Sequence, residues 1–204
     1  MKEEGLLCTK FKTRSRKYSS YKGQIGKVAP NVFNRDFKAT KPNQLWITDV
    51  TEFRLKGHED RLYLSPILDV YNSEIISYTL SHHPTIKLTN SMLEKAIKRI
   101  DTNDNLVIHS DQGFHYQHNS WSNKLNDMNI TQSMSRKGNC LDNSPMENFF
   151  GILKQEMYYG NDFKNYDQLR NEIESYIKWY NEDSIKTKLN GMSPVEYRLH
   201  SAGL

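Results

Sequence analysis

The sequence predicts an α/β domain, a mixed sheet covered by helices on both faces, with a basic N-terminal arm and C-terminal helices around it. Three observations lead there. Three short runs rich in Ile, Val, Thr, Tyr and Phe follow one another between residues 46 and 80. A lone apolar triplet, Leu106-Val107-Ile108, sits between two segments of helical spacing. From Pro145 onward, apolar residues recur at helical intervals almost to the end of the chain.

Residues 1–40 form the arm: basic, rich in Ser, Gly and Tyr near the start, and without a sustained apolar period. Residues 41–204 form the core and its helical extension. Residues 46–55, 63–70 and 74–80 read as three strands of an antiparallel meander, separated by polar turns at Lys56-Gly57-His58 and Tyr71-Asn72-Ser73. Leu88, Met92, Leu93, Ala96, Ile97 and Ile100 share one helical face, which predicts a helix over residues 86–100. Leu106-Val107-Ile108 has the continuous apolar character of a parallel strand buried on both faces. A helix over residues 121–128 and a short strand over 130–134 follow, then a polar loop over 135–144. Helices are expected over residues 145–158 and 166–180, and Ser193-Pro194 starts a last one. Five strands in this order, with helices after the third, fourth and fifth, are the order of a ribonuclease-H-like sheet.

At 204 residues the chain supports one sizeable domain with flanking segments, and its 11% aromatic content argues against disorder. Its net charge of +4 hides an asymmetry: residues 1–45 carry eleven Lys or Arg against three Asp or Glu, so the remainder is net acidic. Such a front suits a polyanion such as DNA, although a solvated basic tail has the same composition. Cys8 and Cys140 match neither a metal spacing nor a redox pair, so a reducing, cytoplasmic setting is expected. No apolar run is long enough to span a bilayer, so no membrane partner is expected.

Three carboxylates stand out, and each alone has an ordinary explanation. Asp49 alternates with Ile47, Thr51, Phe53 and Leu55, which puts a charge on an apolar strand face; a hydrated edge position would also account for it. Asp111 follows the buried triplet at the carboxyl end of its strand, where open α/β sheets hold ligands, yet Ser110-Asp111-Gln112-Gly113 is also a common turn. Glu147 completes Ser144-Pro145-Met146-Glu147, the pattern of a capping box. Should it face a cleft instead, Lys154 shares its helical face and presents a cation to a phosphate, and Gly151 admits a close backbone. Together the three suit two-metal phosphodiester chemistry, in which ions roughly 3.5–4 Å apart flank the attacking and leaving oxygens. Two divalent ions would more than neutralise three carboxylates and leave charge for a DNA phosphate.

Longer stretches carry a resemblance: Trp46-Ile47-Thr48-Asp49-Val50-Thr51-Glu52-Phe53, then His109-Ser110-Asp111-Gln112-Gly113, then Ser135-Arg136-Lys137-Gly138-Asn139, Asp142-Asn143 and Glu147-Asn148-Phe149-Phe150 with Lys154 and Glu156. They resemble the integrase-core transposases of bacterial insertion sequences, the OrfB type of the retroviral-integrase superfamily. Asp111 and Glu147 are separated by 35 residues, the spacing that names that superfamily's D, D, 35, E signature. The likeness runs from about Lys17 to Tyr197, through Tyr176-Ile177-Lys178-Trp179-Tyr180-Asn181 and Leu189-Asn190-Gly191-Met192-Ser193-Pro194.

The resemblance implies a ribonuclease-H-like core in which Asp49, Asp111 and Glu147 are the catalytic, metal-binding triad for two Mg²⁺ or Mn²⁺ ions. It implies DNA cleavage that frees a 3′-OH, direct attack of that hydroxyl on target DNA, and a homo-oligomer on transposon ends in the bacterial cytoplasm or nucleoid. Expected DNA contacts are Lys154, Arg136 and Lys137, with Arg14, Arg16 and Lys17 in the arm; ordinary surface charge is the competing explanation. The family's helix-turn-helix precedes such an arm, so Met1 reads as the start of a truncated or internally initiated product, and an upstream-frame partner would supply that region. Ser184 stands in a segment where the family commonly has Arg. An inactive DNA-binding remnant and a ribonuclease-H-type nuclease are the alternatives. His82, His83, His109 and His115 lack a ligand pattern, and Trp179, Tyr176 and Tyr180 are expected in the core.

Overall fold

A computed structural model describes Gly26 and residues 28–32, 37–100, 105–136 and 140–203, leaving out the side chains of Cys140 and Leu141. Cys8, Arg14, Arg16, Lys17, Lys137 and most of the arm lie outside the described residues.

The first expected strand is two. Leu45–Thr48 forms β1 and Thr51–Phe53 forms β2, separated at Asp49 and Val50. The Asp49 side chain causes the break locally: its Oδ1 accepts a hydrogen bond from Val50 N at 2.7 Å, an alternative to the ladder. Both pieces lie along one edge of β3 (Leu62–Asp69), with Trp46 opposite Asp69 and Phe53 opposite Leu62, both antiparallel. β4 (Ile75–Ser81) pairs antiparallel with the other edge of β3. β5 (Val107–Ser110) then runs parallel to β1, and β6 (Thr131–Met134) parallel to β5. The expected meander and buried parallel strand are therefore present, and the sheet is mixed, with six segments in place of five strands.

Alternation along β1 feeds a core on each face. Leu45 and Ile47 point to a cluster that takes in Phe149 and Leu153 of α4 (Ser144–Leu153) and Leu169, Ile173 and Ile177 of a longer helix. Trp46 points the other way, to Met92 and Leu93 of α1 (Ile86–Ala96) and Trp121 and Leu125 of α3 (Asn119–Asp127). Between β5 and α3 lies α2 (Phe114–Gln117), whose single turn is too short to leave a period in the sequence. The helix expected over 145–158 is α-helical only to Leu153 and closes in a π turn, Lys154–Tyr158. The long helix is α5 (Tyr166–Glu182), and Pro194–Ser201 forms α6.

Tyr176 and Tyr180 are buried as expected, but Trp179 is 45% exposed: it flanks the Ile173, Tyr176, Ile177, Tyr180 stripe and leans on Tyr176 from outside. Arg198 on α6 fixes the C-terminal helix to the sheet. Its Nη2 lies 2.6 Å from Asp69 Oδ2 and its Nε 2.6 Å from Glu74 Oε2, two carboxylates with almost no exposure. Arg99 adds a second cation to Glu74 at 2.7 Å.

Candidate active site

Parallel pairing brings the two aspartates together. Ile47 of β1 is in register with His109 of β5, so Asp49 and Asp111 each follow that pair by two residues at the carboxyl ends of adjacent strands. Neighbouring strands lie about 4.8 Å apart, so both side chains open onto one end of the sheet. Each is held by a local bond: Asp49 by Val50 N, and Asp111 by Gly113 N, which donates to Oδ1 at 2.8 Å.

Gly113 serves this site differently from the tight turn the sequence suggests. Its φ of −62° is open to any residue. A Cβ there would sit 2.8 Å from Asp111 Oδ1, so glycine is needed for the closeness of the carboxylate. Around Gly151 the opposite holds: no described atom comes within 4 Å of where a Cβ would stand, and the residue faces outward.

Glu147 has been released from capping. The 3-10 turn Cys140–Asn143 runs directly into α4, so Ser144 is already helical and Asn143 makes no side-chain capping bond. The same Ser-Pro-x-Glu pattern at Ser193-Pro194-Val195-Glu196 does form the reciprocal box: Glu196 N donates to Ser193 Oγ, and Ser193 N donates to Glu196 Oε2. Glu147 instead lies exposed on the first turn of α4.

Electrostatics join the three carboxylates. Burial pushes Asp49 well above the usual carboxylate range, the charges of Asp111 and Glu147 push it further, and Val50 N–H and the Asn143 amide act against the shift. Asp111 is raised by burial, against the Gly113 N–H and His115; Glu147 is raised by desolvation. Beneath the aspartates lies Tyr116, buried, with its hydroxyl 3.3 Å from Thr48 Oγ1 and its phenol held well up by burial and then by both aspartate charges. No spacing in the sequence marks Tyr116, because the short helix that delivers it leaves no period.

The cations are arranged otherwise than expected. Lys154 is nearly buried: its Nζ donates to Thr51 Oγ1 at 2.6 Å and lies 5.1 Å from the Phe53 ring centroid, so its ammonium faces β2 and not an open cleft. Arg136 pairs with Asp142 through Nε and Nη2, both at 3.0 Å, with about half of its side chain still exposed. Ser184 is buried and satisfied, its hydroxyl donating to Tyr180 O at 2.6 Å, in place of the guanidinium expected there. His109 is buried with its ring nitrogens 2.9 and 3.1 Å from Ser133 and Ser135 Oγ, and His115 Nε2 lies 2.7 Å from Pro84 O. His82 and His83 are exposed.

Among the described residues, no three His, Cys, Asp or Glu side chains already converge on a point that could hold a metal ion. The donor chemistry nevertheless fits a hard divalent cation: all-oxygen carboxylates whose ionised forms are disfavoured first by burial and, at Asp49, also by the neighbouring charges. Asp49 and Asp111 stand at the carboxyl ends of adjacent strands, and Glu147 lies in the first turn of α4.

Comparison with known proteins adds the following. The integrase core domain family matches residues 39–140, and a second integrase core domain family matches residues 147–201. The chain is 47% identical over 194 residues to the putative transposase InsK for insertion sequence element IS150 of Escherichia coli K12, covering 95% of this chain and 68% of that protein. It is 48% identical over 195 residues to an uncharacterised transposase-like protein of Haemophilus influenzae, covering 96% and 89%. In fold it is similar to the HTLV-2 integrase catalytic core domain solved in complex with magnesium (TM-score 0.60, 19% identity, 79% of this chain and 99% of that one). It is likewise similar to a chain of the simian T-cell lymphotropic virus intasome solved in complex with PP2A regulatory subunit B56 gamma (TM-score 0.64, 18% identity, 89% of this chain and 60% of that one). The sheet and its helices are thus ribonuclease-H-like, as their order in the sequence predicts.

Proposed function

The chain belongs to the integrase-core transposases of bacterial insertion sequences and is a transposase catalytic domain, and from that premise we propose that Asp49, Asp111 and Glu147 are its catalytic carboxylates. The observation that carries this reading is the parallel register that sets Asp49 and Asp111 at the carboxyl ends of adjacent strands, with Glu147 exposed on the first turn of α4. Asp49, Asp111 and Glu147 would hold the two Mg²⁺ or Mn²⁺ ions. When bound, those ions supply the positive charge that activates an attacking oxygen and stabilises a leaving one. The protein's own part is positional: Val50 N–H and Gly113 N–H orient the two aspartates, and α4 carries Glu147 to them.

The substrate is DNA, cut to free a 3′-OH at a transposon end and joined to target DNA by that hydroxyl. Residues 1–40 act as a DNA-tracking arm through Arg14, Arg16 and Lys17, and residues 41–204 as the catalytic unit. Arg136 and Lys137 meet the backbone near the Glu147 helix, and Lys154 reaches a phosphate by exchanging its bond to Thr51. The working form is a homo-oligomer on DNA in the bacterial cytoplasm, with helix-turn-helix recognition supplied by an upstream-frame partner.

The test uses the full chain, a pre-cut DNA end, a target duplex and Mn²⁺. Wild type joins and Asp111→Asn does not; equal joining by both defeats the proposal. An RNA–DNA hybrid offered in parallel separates it from a ribonuclease, which would cleave the hybrid and leave the DNA unjoined.

A further inference from the structure

Asp142 is almost fully buried, and a bare carboxylate there would be strongly disfavoured. It is instead surrounded by donors. Its Oδ2 accepts from Arg136 N and Nε, both at 3.0 Å, and from Asn31 Nδ2 at 3.1 Å, while Oδ1 accepts from Arg136 Nη2 at 3.0 Å. These donors come from different places. Arg136 follows β6, whereas Asn31 belongs to the segment that joins the arm to the core. That segment is fastened to β6: Val32 N donates to Ser133 Oγ at 3.0 Å and Met134 N to Pro30 O at 3.4 Å.

On its other side Asp142 adjoins Asn143, which is 4% exposed. The Asn143 Nδ2 donates to Thr48 O at 3.5 Å, and its amide also acts on Asp49. Its Oδ1 is buried without a partner among the described residues. Asp142 and Asn143 end the 3-10 turn, and α4, with Glu147 in its first turn, begins at the next residue. No side-chain capping bond holds that helix start; Met146 packs its first turn into the core, and Asp142 and Asn143 hold the residues that lead into it.

We propose that Asp142 is a positioning residue for Glu147 and the point at which the N-terminal segment is tied to the active site. Resting on the reading of Glu147 as catalytic, the inference goes beyond it: Asn31 and Arg136 clamp Asp142, Asp142 sets the start of α4, and Asn143 fastens that start to the Asp49 strand. A displacement of residues 28–32, as when DNA draws on the arm, shifts Glu147 relative to Asp49. Arg136 thereby has a second duty besides any contact with phosphate.

The experiment compares Asp142→Asn, Asn31→Leu and Asp111→Asn in the full chain. Its two readouts are amide hydrogen exchange over residues 143–147 without metal or DNA, and joining as a function of Mn²⁺ and DNA concentration. Partners of metal-holding groups typically contribute 10–100-fold to metal affinity or activity. Asp142→Asn should speed exchange over 143–147 and raise the half-saturating Mn²⁺ concentration about tenfold, with KM for DNA unchanged; Asn31→Leu should move both in the same direction by less. Asn31→Leu carries the test if Asp142→Asn does not fold. Wild-type exchange and wild-type Mn²⁺ dependence in a folded variant overturn the proposal, as does a loss confined to KM for DNA. Joining by Asp111→Asn would instead overturn the catalytic reading beneath it.

Discussion

Replacing Asp111 by Asn should abolish joining while making the metal-free protein more stable. Asparagine keeps an oxygen for the Gly113 N–H but removes a charge that burial disfavours and that repels Asp49. The strand register sets the scale: side chains on neighbouring strands about 4.8 Å apart bring the carboxyl groups to roughly 6 Å. Like charges at that distance repel by about 3 kcal/mol at an effective dielectric of ~20. Both residues keep some exposure, and screening by water reduces this to about 1.5 kcal/mol. For a chain of this size that raises Tm by roughly 3–6 °C. The pH dependence follows from the direction of the shifts. A carboxyl raised on folding contributes stability below its unfolded value, near pH 4, and loses it as pH rises through the folded value. The advantage of Asp111→Asn is therefore largest at pH 7–8 and fades toward pH 4. Differential scanning calorimetry in EDTA at pH 7.5 and 4.5 measures it. A variant less stable than wild type at pH 7.5, or an equal gain at both pH values, refutes the reasoning about mutual repulsion.

Gly113→Ala should lower joining about 10–100-fold with little change in Tm, because the new Cβ displaces Asp111 Oδ1 while the backbone is unstrained; steady-state kinetics beside a melting curve reads both. Ser193→Ala should cost about 1 kcal/mol in urea unfolding and Ser144→Ala almost nothing, since the same motif forms a box only at the first of these positions. Arg198→Ala should cost about 3 kcal/mol in the same assay, because it leaves Asp69 without its ion pair and Glu74 with Arg99.

The fold was largely legible in the chain because its signals are local. Alternation around Trp46, the apolar triplet ending at Ile108 and the stripe Leu169, Ile173, Tyr176, Ile177 each read as an element without reference to anything distant. Boundaries were less legible where one side chain overrides a period. Asp49 bonds its neighbour's N–H and splits a strand, a π turn ends the helix of Glu147 early, and Trp179 stands just off a buried stripe. The resemblance carried the three carboxylates as a set and included Asp142 in its motif without a role, because its partner Asn31 lies far away in sequence, whereas Tyr116, on a single helical turn, gave no signal.

By itself, the sequence determined the main order of strands and helices and the family, and singled out three carboxylates as candidates, because periodicity and motif spacing are written along the chain. Only the tertiary structure decided what each polar group does. Two copies of Ser-Pro-x-Glu behave differently because one is entered through a 3-10 turn and the other through an extended residue. A lysine aligned with Glu147 turns to Thr51, and an arginine beside the site turns to Asp142, because a buried charge or hydroxyl takes the nearest partner that folding brings to it.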